Sequence, residues 1–192
     1  MSRQPLKSPT LLLISGPPGA GKSTLSRALA RELCAAILDK DCIDEPFSPG
    51  ERGPTYTREV EPRVLAALLA LAEINLATGL SVLVDVPWTH ILLNSPEWKT
   101  RIESLVAAQQ IPLRVIELTL SETTLRSRLA ARALDRDQGK LRTEAGWAAF
   151  RASDRLGEPN PFADSITIDA EQNPDHVFAS SLSALRARDA RP

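Results

Sequence analysis

The sequence lacks an excess of either charge. Its 192 residues include 23 lysines and arginines against 24 aspartates and glutamates, and aromatic residues make up only 4%. A long nucleic-acid groove needs basic residues to offset phosphate charge and aromatic residues on which bases stack. We therefore expect no nucleic-acid partner, although local basic patches are still compatible with a balanced total.

Cysteines and long apolar runs are also scarce. The two cysteines, Cys34 and Cys42, match no metal-binding spacing, and we interpret both as reduced, with Cys34 in the core. The apolar run at 11–14 is too short for a signal peptide, and the apolar helical stretch at 64–72 is far below the ~20 residues that span a bilayer. These features predict a cytoplasmic protein without membrane association.

The chain alternates short apolar runs with longer helical patterns. Continuous apolar strands that alternate with helices are typical of a parallel sheet covered on both faces. We expect one α/β domain over residues 1–192, with three layers (α/β/α) and a mainly five-stranded parallel sheet. The predicted strands are 10–15, 35–40, 81–86, 113–120 and 165–169, and the predicted helices are 22–33, 56–78, 95–110, 121–133 and 175–188.

A glycine-rich segment between the first strand and the first helix matches the pattern G-x-x-x-x-G-K-[ST]. Strand, loop and helix are the context in which this pattern forms a phosphate-binding loop, whose backbone N–H groups surround phosphate oxygens. Lys22 would reach the β- and γ-phosphates, and the Ser23 hydroxyl would ligate Mg²⁺. The predicted nucleotide-binding residues are Gly16, Pro17, Pro18, Gly19, Ala20, Gly21, Lys22, Ser23 and Thr24.

Aspartates end the second and third predicted strands, at the sheet edge where the phosphate loop opens. In an extended strand, Asp39 and Asp41 would lie on one face, about 6.6–7 Å apart. Asp39 could then orient the Mg²⁺ water shell, while Asp41 could accept a proton from an attacking hydroxyl. Asp85, at the end of the third strand, is the candidate for a second carboxylate directed at Mg²⁺. A pair of capping aspartates is the alternative for Asp39 and Asp41.

An arginine-rich stretch follows the fourth strand. Arg128, Arg132 and Arg136 recur every four residues, which predicts one helix face with no acids to offset the arginines. We expect a lid over about residues 121–150, in which Arg128 and Arg132 stabilise charge on the transferring phosphoryl group. The alternative is an exposed face paired with Asp135 and Asp137.

With these three features together, the chain resembles the small-molecule kinases of the phosphate-loop class, which have a nucleoside-monophosphate-kinase-like core. Shikimate kinase, gluconate kinase, chloramphenicol phosphotransferase and the zeta-toxin group belong to it. The resemblance implies transfer of the γ-phosphate of ATP, with Mg²⁺, to a hydroxyl of a small molecule. It also implies that Asp39 serves the metal and Asp41 the acceptor. The segment Asp85-Val-Pro-Trp88 differs from the glycine-rich loop of shikimate kinases, so an acceptor other than shikimate is expected.

Two alternatives remain at this point. A regulatory GTPase would need a guanine-selecting N-K-x-D, which the sequence lacks, and a D-x-x-G after the third strand, where no glycine stands. A nucleoside or polynucleotide 5′-hydroxyl kinase would use the same loop and aspartate. The acceptor pocket is predicted to involve segments 44–54 and 88–95.

Overall fold

Five strands form one parallel sheet. The computed structural model describes residues 3–47 and 53–190. Neighbouring strands are all parallel, in the order β2-β3-β1-β4-β5, so that all five carboxyl ends meet at one edge of the sheet. The five predicted strands and the fold class are confirmed, with strand ends shifted by at most one residue. The strands are β1 (Leu11–Ser15), β2 (Ala36–Asp39), β3 (Val82–Asp85), β4 (Leu113–Thr119) and β5 (Ile166–Asp169).

Helices connect the strands and cover both faces of the sheet. The five predicted helices are present, although the second begins with a π-helical turn at Tyr56–Val60. Four further helices, at Lys40–Asp44, Trp88–Asn94, Asp135–Leu141 and Glu144–Asp154, were not predicted. The α-helices within the described residues are α1 (Lys22–Leu33), α2 (Lys40–Asp44), α3 (Glu61–Ala77), α4 (Trp88–Asn94), α5 (Glu97–Gln109), α6 (Glu122–Arg132), α7 (Asp135–Leu141), α8 (Glu144–Asp154) and α9 (Pro174–Asp189).

The core lies in two layers, one on each face of the sheet. Along β1, Leu11 and Leu13 face α3, α4 and α5, whereas Leu12 and Ile14 face α1 and α9. All four side chains are fully buried. Strand β1 therefore lies in the middle of a three-layer structure, and the loop that follows it is held between rigid elements.

The end of α1 corrects one prediction. Cys34 adopts a left-handed conformation (φ 53°) that ends the helix, and its N–H donates to the carbonyl of Ala30. Both Cys34 and Cys42 are exposed free thiols. The expectation that Cys34 lies in the core is therefore wrong, because the residue closes the helix at the surface.

Two further expectations concern the segment 44–54, predicted to shape the acceptor pocket, and association with a membrane. Of the segment 44–54, residues 48–52 lie outside the described residues, Asp44 ends α2, and Pro54 belongs to the helical stretch before the π-helical turn. Among the described residues, no helix has both the length and the apolar character to cross a membrane.

Candidate active site

The loop between β1 and α1 is held against the sheet by its first glycine. Gly16 has a φ of 136°, and a Cβ built there would lie 2.7 Å from the carbonyl oxygen of Leu118 on β4. Only glycine allows this close approach of two backbones. At the other end, Gly21 (φ 93°) precedes α1, and no described side chain caps that helix or places an acid in its first turn. The free N–H groups and positive end of α1 therefore suit an anion such as phosphate.

Lys22 folds back onto this loop. Its Nζ donates hydrogen bonds to the carbonyl oxygens of Gly16 (2.9 Å) and Pro17 (3.1 Å). Burial lowers the pKa of Lys22, and the nearby Asp85 carboxylate opposes that shift. The lysine thus lies inside the cavity that a phosphate group would enter, held by neutral acceptors.

Asp85 ends β3 directly beside the loop. In the sheet register it pairs with Ile14 on β1 and with Asp39 on β2. Its side chain is buried, and its Oδ2 accepts no hydrogen bond within the part of the chain that the structure describes. Burial raises the pKa of Asp85, whereas Lys22 and the Ser23 hydroxyl lower it.

The residues around Asp85 fit a magnesium ion. A buried carboxylate oxygen without a partner, next to the Ser23 hydroxyl, provides the oxygen ligands that Mg²⁺ prefers. Residues 3–47 and 53–190 contain no group of three or more His, Cys, Asp or Glu side chains that could hold a metal alone. Magnesium commonly binds through one or two carboxylates together with substrate phosphates, which is compatible with this site.

The arrangement of Asp39 and Asp41 differs from the prediction. Strand β2 ends at Asp39, and α2 begins at Lys40, so the two aspartates do not alternate along an extended strand. The Asp39 side chain instead caps α2, accepting a hydrogen bond from the N–H of Asp41 (2.9 Å). Its other oxygen lies 3.9 Å from Arg27 Nη2. Both aspartates still line the cavity in front of the loop.

The arginine-rich stretch is also built differently. Ala133 adopts a left-handed conformation (φ 48°) that ends α6, so Arg136 belongs to the next helix and shares no helix face with Arg128 and Arg132. Arg132 lines the cavity. Arg128 is not among the cavity's lining residues, and its Nη2 donates to the carbonyl of Ala170 (2.8 Å). The expectation that Arg136 continues the helix face of Arg128 and Arg132 is therefore wrong, and of the two arginines on α6 only Arg132 lines the cavity among the described residues.

Arg132 has an acidic partner, in contrast to the predicted face of arginines without acids. Its Nε donates to Oδ2 of Asp137 (2.6 Å), and the Lys140 ammonium donates to Oδ1 of the same carboxylate (2.8 Å). Asp137 is 1% exposed. One buried acid thus orients two cations at the wall of the cavity.

Three wall residues were not identified from the sequence. Asp154, at the end of α8, is partly buried, and burial raises its pKa, whereas the charges of His90, Lys140 and Lys22 lower it. His90 on α4 is partly buried, and its Nδ1 lies 3.7 Å from the carboxylate of Asp154. Glu61 on α3 binds the buried Lys40 ammonium (2.9 Å). No local sequence signal marks these residues, because distant segments bring them together.

The cavity encloses about 690 Å³. Of the predicted site residues, Gly16 and Pro17 border a neighbouring cavity, and Ala20 is buried beneath the loop. Trp88, in the segment predicted to shape an acceptor pocket, is fully buried in the core. The predicted residues that line the cavity are Pro18, Gly19, Gly21, Lys22, Ser23, Thr24, Asp39, Asp41, Asp85 and Arg132.

Comparisons with known proteins agree with this geometry. The model of the AAA domain family matches residues 11–156. A shikimate kinase from Gloeobacter violaceus is 33% identical over 150 residues, covering 67% of this chain and 82% of that protein. A shikimate kinase from Nostoc sp. strain PCC 7120 is 26% identical over 185 residues, covering 91% and 90%.

A solved structure shows the same fold at lower sequence identity. The gluconokinase of Sinorhizobium meliloti 1021 superimposes with a TM-score of 0.62 and 16% identity, covering 94% of each chain. Together with the phosphate loop and the family match, the comparisons confirm the resemblance found in the sequence. The chain belongs to the AAA domain family, and within it to the phosphate-loop small-molecule kinases.

Proposed function

We propose that this protein transfers the γ-phosphate of ATP to a hydroxyl group of a small molecule, acting as a single domain over residues 1–192. The observation that carries the proposal is one cavity that brings together the phosphate loop, Asp41 and Asp85. Phosphoryl transfer needs little covalent chemistry from the protein. It depends on positioning and on charge stabilisation, and these residues can supply both.

Each residue has a distinct task in this proposal. Asp41 accepts the proton of the acceptor hydroxyl as its oxygen forms a bond to the γ-phosphorus. The bond from that phosphorus to the β,γ-bridging oxygen breaks, and ADP leaves with the electron pair. Lys22 and Arg132 bind the oxygens on which negative charge is concentrated.

Asp41 is favoured as the proton acceptor over the two other aspartates. Asp39 already caps α2 and lies near Arg27, and Asp85 is buried against the loop beside Ser23. Asp85 and Ser23 would hold Mg²⁺, with Asp39 close by. Bound Mg²⁺ would neutralise charge on the β- and γ-phosphates. Residues 121–150 would close over the phosphates as a lid.

The proposal is tested with a panel of hydroxylated small molecules and a coupled assay for acceptor-dependent release of ADP. Asp41→Asn should abolish transfer while ATP with Mg²⁺ still raises the melting temperature, because the asparagine keeps the shape of the cavity. Asp164→Asn, which removes an equal charge at an exposed position, is the control.

Two results would contradict the proposal. Full transfer by Asp41→Asn would exclude this aspartate as the proton acceptor. Stronger thermal stabilisation by GTP than by ATP would favour a regulatory nucleotide hydrolase.

A further inference from the structure

A second cavity lies beside the first two residues of the phosphate loop, Gly16 and Pro17, and encloses about 580 Å³. Its walls come from the end of β4, the start of α6, the end of α8 and the connection at 155–163. The transfer reaction proposed above uses none of the polar groups that only this cavity contains. We refer to it as the second cavity.

A buried hydrogen-bond network forms one wall of the second cavity. Glu117 on β4 pairs in register with Ser15 on β1, and its side chain is buried. Its Oε2 accepts hydrogen bonds from the Thr89 hydroxyl (2.5 Å) and from Nδ2 of Asn160 (2.9 Å). The Ser15 hydroxyl lies 3.1 Å from the Thr89 hydroxyl and can donate to it. The hydrogen-bond donors of this network therefore all lead, directly or through the Thr89 hydroxyl, to Oε2 of Glu117.

The other oxygen of Glu117 has no such partner. Oε1 accepts no hydrogen bond from the described residues, and Glu117 is one of the residues that line the second cavity. An unpaired oxygen of a mostly buried carboxylate that is open to a cavity is an acceptor site for a donor that enters from outside.

The charges at the rim of the second cavity largely cancel. Arg151 lies 3.1 Å from Glu122, and Arg155 lies 2.6 Å from Glu158. Both pairs are partly exposed. They include the two arginines that line the second cavity, so each of these arginines already has an acidic partner. Neither arginine is therefore left to bind an anionic ligand.

The charges farther inside the second cavity are mainly negative. Glu117 and Asp154 remain as acids. His90 lies 3.7 Å from Asp154, and the charges of Lys140 and Lys22 act on Asp154 from the first cavity, whereas Glu117 forms no ion pair within the described residues. A buried Glu117 carboxylate with no cationic partner among the described residues, beside the partly buried Asp154, favours a ligand that brings a cation. Apolar side chains, among them Leu120 and Leu125, complete the walls.

We propose that the second cavity binds a hydroxylated primary amine, whose ammonium group donates to Oε1 of Glu117. The hydroxyls of Thr119 and Thr167, which also line the cavity, can pair with the ligand's hydroxyls. Pro87, His90 and Asp154 line both cavities. Such an amine is therefore either part of the phosphoryl acceptor or a separate ligand beside it.

The test is titration calorimetry without nucleotide, using two disaccharides that differ only in charge. The disaccharide of glucosamine carries primary ammonium groups, whereas cellobiose has hydroxyls in their place. The diamine should bind at least tenfold more tightly than cellobiose, a difference of about 1.4 kcal/mol. Glu117→Gln should abolish this preference, and Glu158→Gln, with the same charge change at the rim, should retain it.

A second variant covers the case in which Glu117→Gln does not fold. Thr167 is exposed on β5 and pairs in register with Glu117, so Thr167→Trp would fill the second cavity while keeping the Glu117 side chain itself. This variant should lose the diamine while ATP with Mg²⁺ still raises its melting temperature. Equal binding of the two disaccharides, or diamine binding that both variants retain, would overturn the proposal.

Adding ATP and Mg²⁺ separates the two sources of the amine. Phosphorylation of the diamine, detected by mass spectrometry and abolished in Asp41→Asn, identifies the site as part of the acceptor pocket. Binding without phosphorylation identifies a separate ligand. This second result leaves the site in place, because the calorimetry does not depend on the proposed transfer reaction.

Discussion

Replacing Asp85 by asparagine is expected to stabilise the ligand-free protein. Asp85 is 3% exposed, its Oδ2 has no partner among the described residues, and burial raises its pKa. A carboxyl whose pKa is raised in the folded state lowers the free energy of unfolding at pH values above that pKa. The reason is that the folded state binds the proton more tightly than the unfolded state does, so loss of the proton costs the folded state more. Removing the charge from a buried carboxylate with an unpaired oxygen gains about 1–3 kcal/mol, although the amide that replaces it is still polar. Loss of the attraction to Lys22 reduces this gain to about 1 kcal/mol, or roughly 2–4 °C in melting temperature.

The same substitution should weaken stabilisation by ATP with Mg²⁺. A ligand at 100 times its Kd adds about 2.7 kcal/mol to the free energy of unfolding. If loss of one carboxylate ligand weakens binding tenfold, about 1.4 kcal/mol of this is removed, or roughly 3–6 °C. Asp85→Asn should thus melt above the wild type without ligand, and its melting temperature should rise less when ligand is added.

Differential scanning fluorimetry at pH 8 and pH 5, with and without ATP and Mg²⁺, measures both effects. The ligand-free difference should shrink at the lower pH, because protonation of Asp85 in the wild type removes the same charge. Asp164→Asn, at an exposed position, should match the wild type throughout. A ligand-free Asp85→Asn that melts below the wild type, or equal stabilisation of both proteins by Mg²⁺ and ATP, would refute the reasoning.

Three further experiments, with five substitutions, test the site. Lys22→Ala should remove most of the thermal stabilisation by ATP, because the neutral side chain no longer binds phosphate; unchanged stabilisation would contradict its role. Arg132→Gln should lower kcat by about 10²–10³, whereas Arg128→Gln should leave kcat near the wild-type value in steady-state assays; equal losses would place both arginines at the phosphates. Gly16→Ala should lower the melting temperature more than Gly79→Ala, since a Cβ at Gly16 meets Leu118 and one at Gly79 meets nothing within 4 Å. Similar losses would show that the close approach to β4 is unimportant.

The sequence was sufficient for the features that depend on local pattern. The glycine spacing from Gly16 to Gly21 requires unusual backbone angles and a following helix, so it identifies the loop by itself. The apolar strands also appear in the sequence as continuous runs, and each ends at the sheet edge near the loop. The position of Asp85 at this edge therefore follows from its place at the end of an apolar run.

The remaining features were left open by the local pattern, as for the capping alternative at Asp39, or depend on the backbone and on distant contacts. Asp39 caps a helix that begins one residue later, so the alternation expected of a strand does not extend beyond the end of β2. Ala133 ends α6 in a left-handed conformation, although no glycine marks the position. Asp154 and His90 meet only because α8 returns over α4, and nothing in either segment indicates the contact.

The shifted pKa values in the first cavity have a common cause. Burial moves Lys22, Asp85 and Asp154 toward their neutral forms, and the attraction of Lys22 to the two acids opposes the shift in each case. Lys22 is held by two neutral carbonyl oxygens, and its ammonium is attracted more strongly to an anionic phosphate oxygen than to a neutral carbonyl. An entering nucleotide would therefore exchange weak partners of Lys22 for strong ones, while the magnesium ion bound with it would give the Asp85 oxygen a partner. The charges that destabilise the ligand-free fold are then the same charges that would favour the proposed binding of magnesium and nucleotide together.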